Sequence, residues 1–106
     1  MREITTQEWP ELMKSADDQD QTVIALFTAP WCPHCRRLGP VADKVADEAP
    51  QEVLFVKVDT DGNPDLVEKW GIQGIPAMVR IEKGEEIGRL IGNRPESDIK
   101  HFAYPQ

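Results

Sequence analysis

Apolar and polar positions alternate in blocks along this chain of 106 residues, and the blocks change period in a regular order. Val23-Ile24-Ala25-Leu26-Phe27 is apolar without interruption, as expected of a central strand covered on both faces, and Thr22 to Phe27 is assigned to it. Beyond it Leu38, Val41, Ala42, Val45, Ala46 and Ala49 recur at the spacing of one helix face, and tracing that face backward reaches Cys35. Ala49-Pro50 ends this helix. Val53 to Asp59 repeats the buried-strand pattern, and two such strands joined by a helix predict a right-handed βαβ unit with parallel pairing.

Weaker elements flank this unit. Arg2 to Thr5 reads as a short strand. Thr5 and Glu8 form a capping-box pair ahead of a helix whose inner face is Trp9, Leu12, Met13 and Ala16. Asp17-Asp18-Gln19-Asp20 reads as a solvated loop. Asn63-Pro64 is a cap-plus-proline start for a short helix with Leu66, Val67 and Trp70 inward, stopped by Gly71. Ala77 to Glu82 and Glu86 to Ile91 predict a hairpin turning at Lys83-Gly84-Glu85. Pro95 opens a last helix facing inward with Ile99, Phe102 and Ala103, and Pro105 closes the chain. The predicted order is β-α-β-α-β-α-β-β-α, an α/β fold in a single domain spanning residues 1–106.

The net charge of −7 argues against nucleic acid or an anionic membrane surface as a partner. No stretch is apolar for long enough to span a bilayer. The N-terminal residues carry no apolar signal core, which points to the cytoplasm. There, a Cys-x-x-Cys pair is a catalytic or metal-binding feature rather than a structural staple.

The only two cysteines, Cys32 and Cys35, stand where the central strand hands over to the helix. Cys32 occupies the N-cap position and Pro33 the first helical one, where a missing N–H costs nothing. The N–H groups of His34 and Cys35 then point out of the helix end, toward a Cys32 thiolate at the positive end of the helix dipole. Both effects lower a thiol pKa. The expected arrangement is an exposed, acidic Cys32 with a shielded Cys35 beneath it, as thiol–disulfide exchange requires. A structural zinc site needs four ligands, and His34 and His101 are the only other soft donors, so no metal is assigned.

These residues carry a family likeness. With Phe27, Ala29, Trp31-Cys32-x-x-Cys35, Pro40, Lys57-Val58-Asp59, Gly71-Ile72-x-Gly74-Ile75-Pro76, Gly84 and Gly92, the chain resembles the thioredoxin family over nearly its whole length. The resemblance implies a thioredoxin-like fold, a central mixed sheet of about five strands flanked by about four helices, with a cis Ile75-Pro76 bond beside the cysteines. It also implies a monomeric protein-disulfide oxidoreductase without a bound cofactor, the dithiol being the redox centre. Protein disulfides would be its substrates and a thioredoxin-reductase-like partner its electron donor. Trp31, Gly74, Ile75, Pro76 and Gly92 would form an apolar substrate rim together with Pro30.

Three departures from the family pattern stand out. Pro33-His34 replaces the usual Gly-Pro and is similar to the active site of the bacterial periplasmic disulfide oxidase, which implies a more oxidising pair with His34 close to the thiolate. Leu26 stands where the family holds a buried acid, leaving Lys57 as the nearest titratable candidate. Thr28 replaces a common tryptophan. Two other readings stay open: an oxidase or isomerase in an oxidising compartment, and a non-catalytic interaction module on the same fold.

Overall fold

The computed structural model describes residues 1–104; Pro105, expected to close the chain, lies outside them. The elements follow in the order β1 (Arg2–Glu3), α1 (Trp9–Asp18), β2 (Thr22–Thr28), α2 (Pro33–Asp47), β3 (Val53–Asp59), α3 (Pro64–Trp70), β4 (Ala77–Glu82), β5 (Glu85–Ile91) and α4 (Glu96–Ala103). One five-stranded sheet runs β1-β3-β2-β4-β5. β3 is parallel to both β1 and β2, while β4 is antiparallel to β2 and to β5.

The uninterrupted apolar run of β2 serves two cores because alternate side chains leave opposite faces of the sheet. Val23, Ala25 and Phe27 pack with Val56, Val58 and Val79 against Trp9, Leu12 and Ala16 of α1 and Leu66 of α3. Ile24 and Leu26 pack with Phe55 and Met78 against Leu38, Ala42 and Val45 of α2 and Ile99 and Ala103 of α4. This sandwich fixes the C-terminal end of β2 and the N-terminal end of α2, and the cysteines lie at that junction.

Several boundaries depart from the sequence pattern. The Thr5–Glu8 box forms, Thr5 N–H donating to Glu8 Oε1 at 3.0 Å and Glu8 N–H to Thr5 Oγ1 at 3.3 Å, but it closes a turn ahead of a helix that begins only at Trp9. α1 then absorbs Asp17 and Asp18, two residues expected in the loop, and the chain reverses at Asp20 with φ 56°. The β4–β5 hairpin closes on two residues, Lys83 and Gly84, both at positive φ, with Glu82 paired to Glu85; this turn geometry matches the strand twist and brings Glu85 into the strand. Further along, Arg80 pairs with Gly88 but Ile81 with Glu86, so Ile87 is a bulged residue, 56% exposed. Pro95 caps α4 rather than starting it.

Asn63 is a larger departure. It precedes Pro64 as a cap should, yet its side chain makes no capping bond. It is 5% exposed and spans two elements instead. Its Oδ1 accepts from Thr6 N–H at 2.7 Å and from Thr6 Oγ1 at 3.1 Å, and its Nδ2 donates to Asp59 O at 2.9 Å.

Candidate active site

Cys32 is the N-cap of α2, in extended backbone at φ −87° and ψ 115°, and Pro33 is the first helical residue. The turn is built as the sequence grammar requires: the Cys32 sulfur accepts the Cys35 N–H at 3.3 Å. The Cys32 thiol also donates toward Ile75 O at 4.0 Å. Both cysteines are present as thiols.

The expectation of an exposed Cys32 is corrected. Cys32 is 5% and Cys35 4% exposed, because Ala29 and Ile75 close over the pair. Surface area therefore does not distinguish the two sulfurs; depth and electrostatics do. Burial pushes the Cys32 thiol up, but the Cys35 thiol, the Cys35 and His34 N–H groups and the Arg36 guanidinium together hold it below the ordinary thiol range. Cys35 sits deeper, and burial and then the Cys32 thiol push it up, against a hydrogen bond from Thr28 and one from the Ala29 main chain. Alkylation of the reduced protein with iodoacetamide should therefore modify Cys32 first, with a pH midpoint below that of a free thiol, while Cys35 reacts only at higher pH. Peptide mapping across a pH series checks the order; equal labelling of both cysteines would contradict it.

His34 contributes its main-chain N–H to Cys32. Its imidazole is exposed and turns toward Arg37, Nδ1 lying 3.4 Å from Nη1.

The predicted rim comes together only in part. Trp31 is 61% exposed, and its indole N–H donates to Asp61 Oδ2 at 2.7 Å. Asp61 in turn donates its N–H to Asp59 Oδ1 at 3.1 Å. Ile75 packs on the cysteines, the Ile75–Pro76 bond is cis, and Gly92 N–H donates to Pro76 O at 2.8 Å. Pro76 itself is buried, while Pro30 and Gly74 are exposed.

Leu26 is buried and sits opposite Lys57 in the β2–β3 register. Both border a cavity of about 260 Å³ that also reaches Thr28 and Cys35.

This constellation has relatives. The thioredoxin family model matches residues 1–104. The chain belongs to the thioredoxin family. A thioredoxin of Porphyra purpurea is 36% identical over 83 residues, 78% of each chain. An H-type thioredoxin of Fagopyrum esculentum is 35% identical over 99 residues, covering 93% of this chain and 84% of its own. The X-ray structure of Fasciola hepatica thioredoxin superposes with a TM-score of 0.87 at 30% identity, over 96% of this chain and 95% of that one. The five-stranded mixed sheet with four helices is thus the thioredoxin fold, and the protein is a disulfide oxidoreductase with its cysteine pair in the active site. Thioredoxins generally reduce protein disulfides and are themselves reduced by thioredoxin reductase.

Thr28, Arg36, Asp61 and Asn63 carry contacts that sequence reasoning missed. Arg36 could have been found as the first charged residue past the pair. Asp61 gave no signal, because its partner Trp31 lies thirty residues away.

Proposed function

We propose that Cys32 attacks substrate disulfides and Cys35 resolves the resulting mixed disulfide, in a protein more oxidising than a typical thioredoxin. The Cys32 thiolate attacks one substrate sulfur; the substrate S–S bond breaks and the other sulfur leaves, taking up a proton. Cys35 loses its proton and attacks Cys32, forming the Cys32–Cys35 disulfide and releasing the second substrate thiol. Two electrons pass from the protein to the substrate, and no bound cofactor takes part. Trp31, Gly74, Ile75, Pro76 and Gly92 form the surface on which the substrate segment lies. In a reducing cytoplasm the net direction is reduction of protein disulfides by the monomeric protein, recharged by a thioredoxin-reductase-like donor.

What supports the oxidising character is the His34 main-chain N–H at the helix end, which helps hold the Cys32 thiol below its ordinary range. A Gly-Pro dipeptide would place proline at that position and remove this donor. Pro33-His34 instead puts the proline where no N–H is needed and keeps the His34 N–H at the helix end beside the Cys35 N–H, which donates to the Cys32 sulfur at 3.3 Å. Leu26 adds no negative charge behind the pair. Every stabilisation of the thiolate favours the reduced form and raises the potential.

The test is the equilibrium potential against a glutathione buffer, on a scale where thioredoxin lies near about −270 mV and the periplasmic oxidase near about −120 mV. The native pair should lie between them, and replacing Pro33-His34 with Gly-Pro should lower the potential by about 30 mV or more, roughly tenfold in equilibrium constant. His34→Ala keeps the N–H, so the smaller fall expected there measures the imidazole alone. A Gly-Pro variant with the native potential would reject this assignment of the poise.

A further inference from the structure

The loop that covers the cysteines is held from the edge of the sheet. It runs from Gly71 to Pro76, between α3 and β4, and carries Ile75 on the pair. Gly71 ends α3 in the left-handed region at φ 61°, and the N–H groups of Gly71 and Ile72 bond back to Glu68 O and Val67 O. The carbonyls at the very end of the helix have no helical donor. Arg89 of β5 supplies one from across the sheet: its Nη2 donates to Trp70 O at 2.7 Å and its Nη1 to Gly71 O at 3.5 Å. The other end of the loop is held just past β5, by Gly92 N–H on Pro76 O. Between these anchors Gln73, Gly74 and Ile75 make no main-chain hydrogen bond to another main chain among the described residues. The place of the loop over Cys32 is therefore set at its ends.

Arg89 is itself fixed by a bulge. Glu86 grips its guanidinium at two points, Nε donating to Oε2 and Nη2 to Oε1, both at 2.6 Å. Residues three apart in a regular strand face opposite sides. The extra residue at Ile87 removes that conflict: Glu86 pairs with Ile81 and Arg89 with Val79, and both partners belong to the core beneath α1 and α3. A two-point pair holds the planar guanidinium in one orientation, aimed at the end of α3.

We infer that Arg89 is a positioning residue for substrate binding, its guanidinium pinning the Trp70–Gly71 end of the loop so that Ile75 and Pro76 stand in place beside Cys32 for an incoming protein segment. This rests on the exchange mechanism and the docking surface proposed above. Arg89 touches neither the sulfurs nor the substrate. Its effect falls on substrates long enough to lie along the loop, whereas a disulfide too small to do so meets Cys32 alone.

The test compares two disulfides. Reduced protein is mixed with a synthetic disulfide-linked dimer of an uncharged peptide, or with hydroxyethyl disulfide, and acid-quenched samples give a second-order rate constant for each. Arg89→Met keeps the apolar stem and removes the donors. It should lower the peptide rate constant about three- to tenfold, the scale of one lost hydrogen bond, and leave the hydroxyethyl disulfide rate constant at its native value. Arg89→Lys keeps the charge and a donor without the fork, so it should recover part of the peptide rate. If the methionine variant does not fold, the lysine variant should still show a smaller fall of the same kind. A native ratio of the two rate constants in the methionine variant, or in the lysine variant where that alone folds, overturns the inference, whether neither rate changes or both fall together through lost stability. A native protein with no preference for the peptide would instead refute the docking surface, and no reaction with either disulfide would refute the exchange mechanism. Both of those failures are read on the native protein and are distinct from any result with the variants.

Discussion

Cys32→Ser is expected to abolish insulin-disulfide reduction while leaving the fold intact. The serine hydroxyl can take over the cap of α2 by accepting the Cys35 N–H, because serine is among the preferred N-cap residues. Its melting temperature should therefore stay near the native value. What it cannot do is form a bond to sulfur, so no covalent intermediate exists and the reaction has no first step. Cys35→Ser should behave differently: Cys32 still attacks, and the protein accumulates as a mixed disulfide visible by mass spectrometry. Insulin precipitation by the Cys32→Ser protein at a native rate would refute the mechanism and leave the fold as an interaction module.

The largest single polar effect on stability is expected at Asn63. Replacing it with alanine removes three hydrogen bonds and strands the Thr6 N–H and the Asp59 carbonyl, part-buried groups with no alternative donor or acceptor supplied by alanine. The loss should be about 2–3 kcal/mol. For a domain of this length that lowers the melting temperature by roughly 10 °C or more. Activity should also fall, since Asn63 anchors the loop through Asp59 and Asp61 that fastens Trp31. Thermal and chemical denaturation measure the first effect; a variant within about 0.5 kcal/mol of native, the range of ordinary surface substitutions, would show that the loop is held elsewhere.

The contrast between Asn63 and Cys32 shows what could be read from the sequence. The cap, the N1 proline and the two inward N–H groups at Cys32 follow from nearest-neighbour geometry, so four consecutive residues contain the whole construction. β2 and β3 were equally legible, because the unbroken apolar runs Val23–Phe27 and Val53–Val56 have a single sensible use in a sheet covered on both faces. Asn63 looked like another local cap, and the same local reasoning failed: a side chain fifty-seven positions away in the chain, that of Thr6, competes for its oxygen. The depth of Cys32 was hidden for a similar reason. Its cover comes from Ile75, placed there by a loop between β4 and α3, and no spacing rule around the cysteines reports on that loop. Thr28 was visible only as an absence of tryptophan; that it lines the same cavity as Cys35 emerges only from the fold.

The two margins of the sheet bear on behaviour in a crowded solution. β1 offers only Arg2 and Glu3, and β5 carries the bulge at Ile87 together with Glu85, Glu86 and Arg89. Short, charged and bulged margins are poor templates for strand addition by another chain. A member of a family that reduces protein disulfides is thus unreceptive to strand addition along both outer strands, and contact with another protein's disulfide need not become edge-to-edge association.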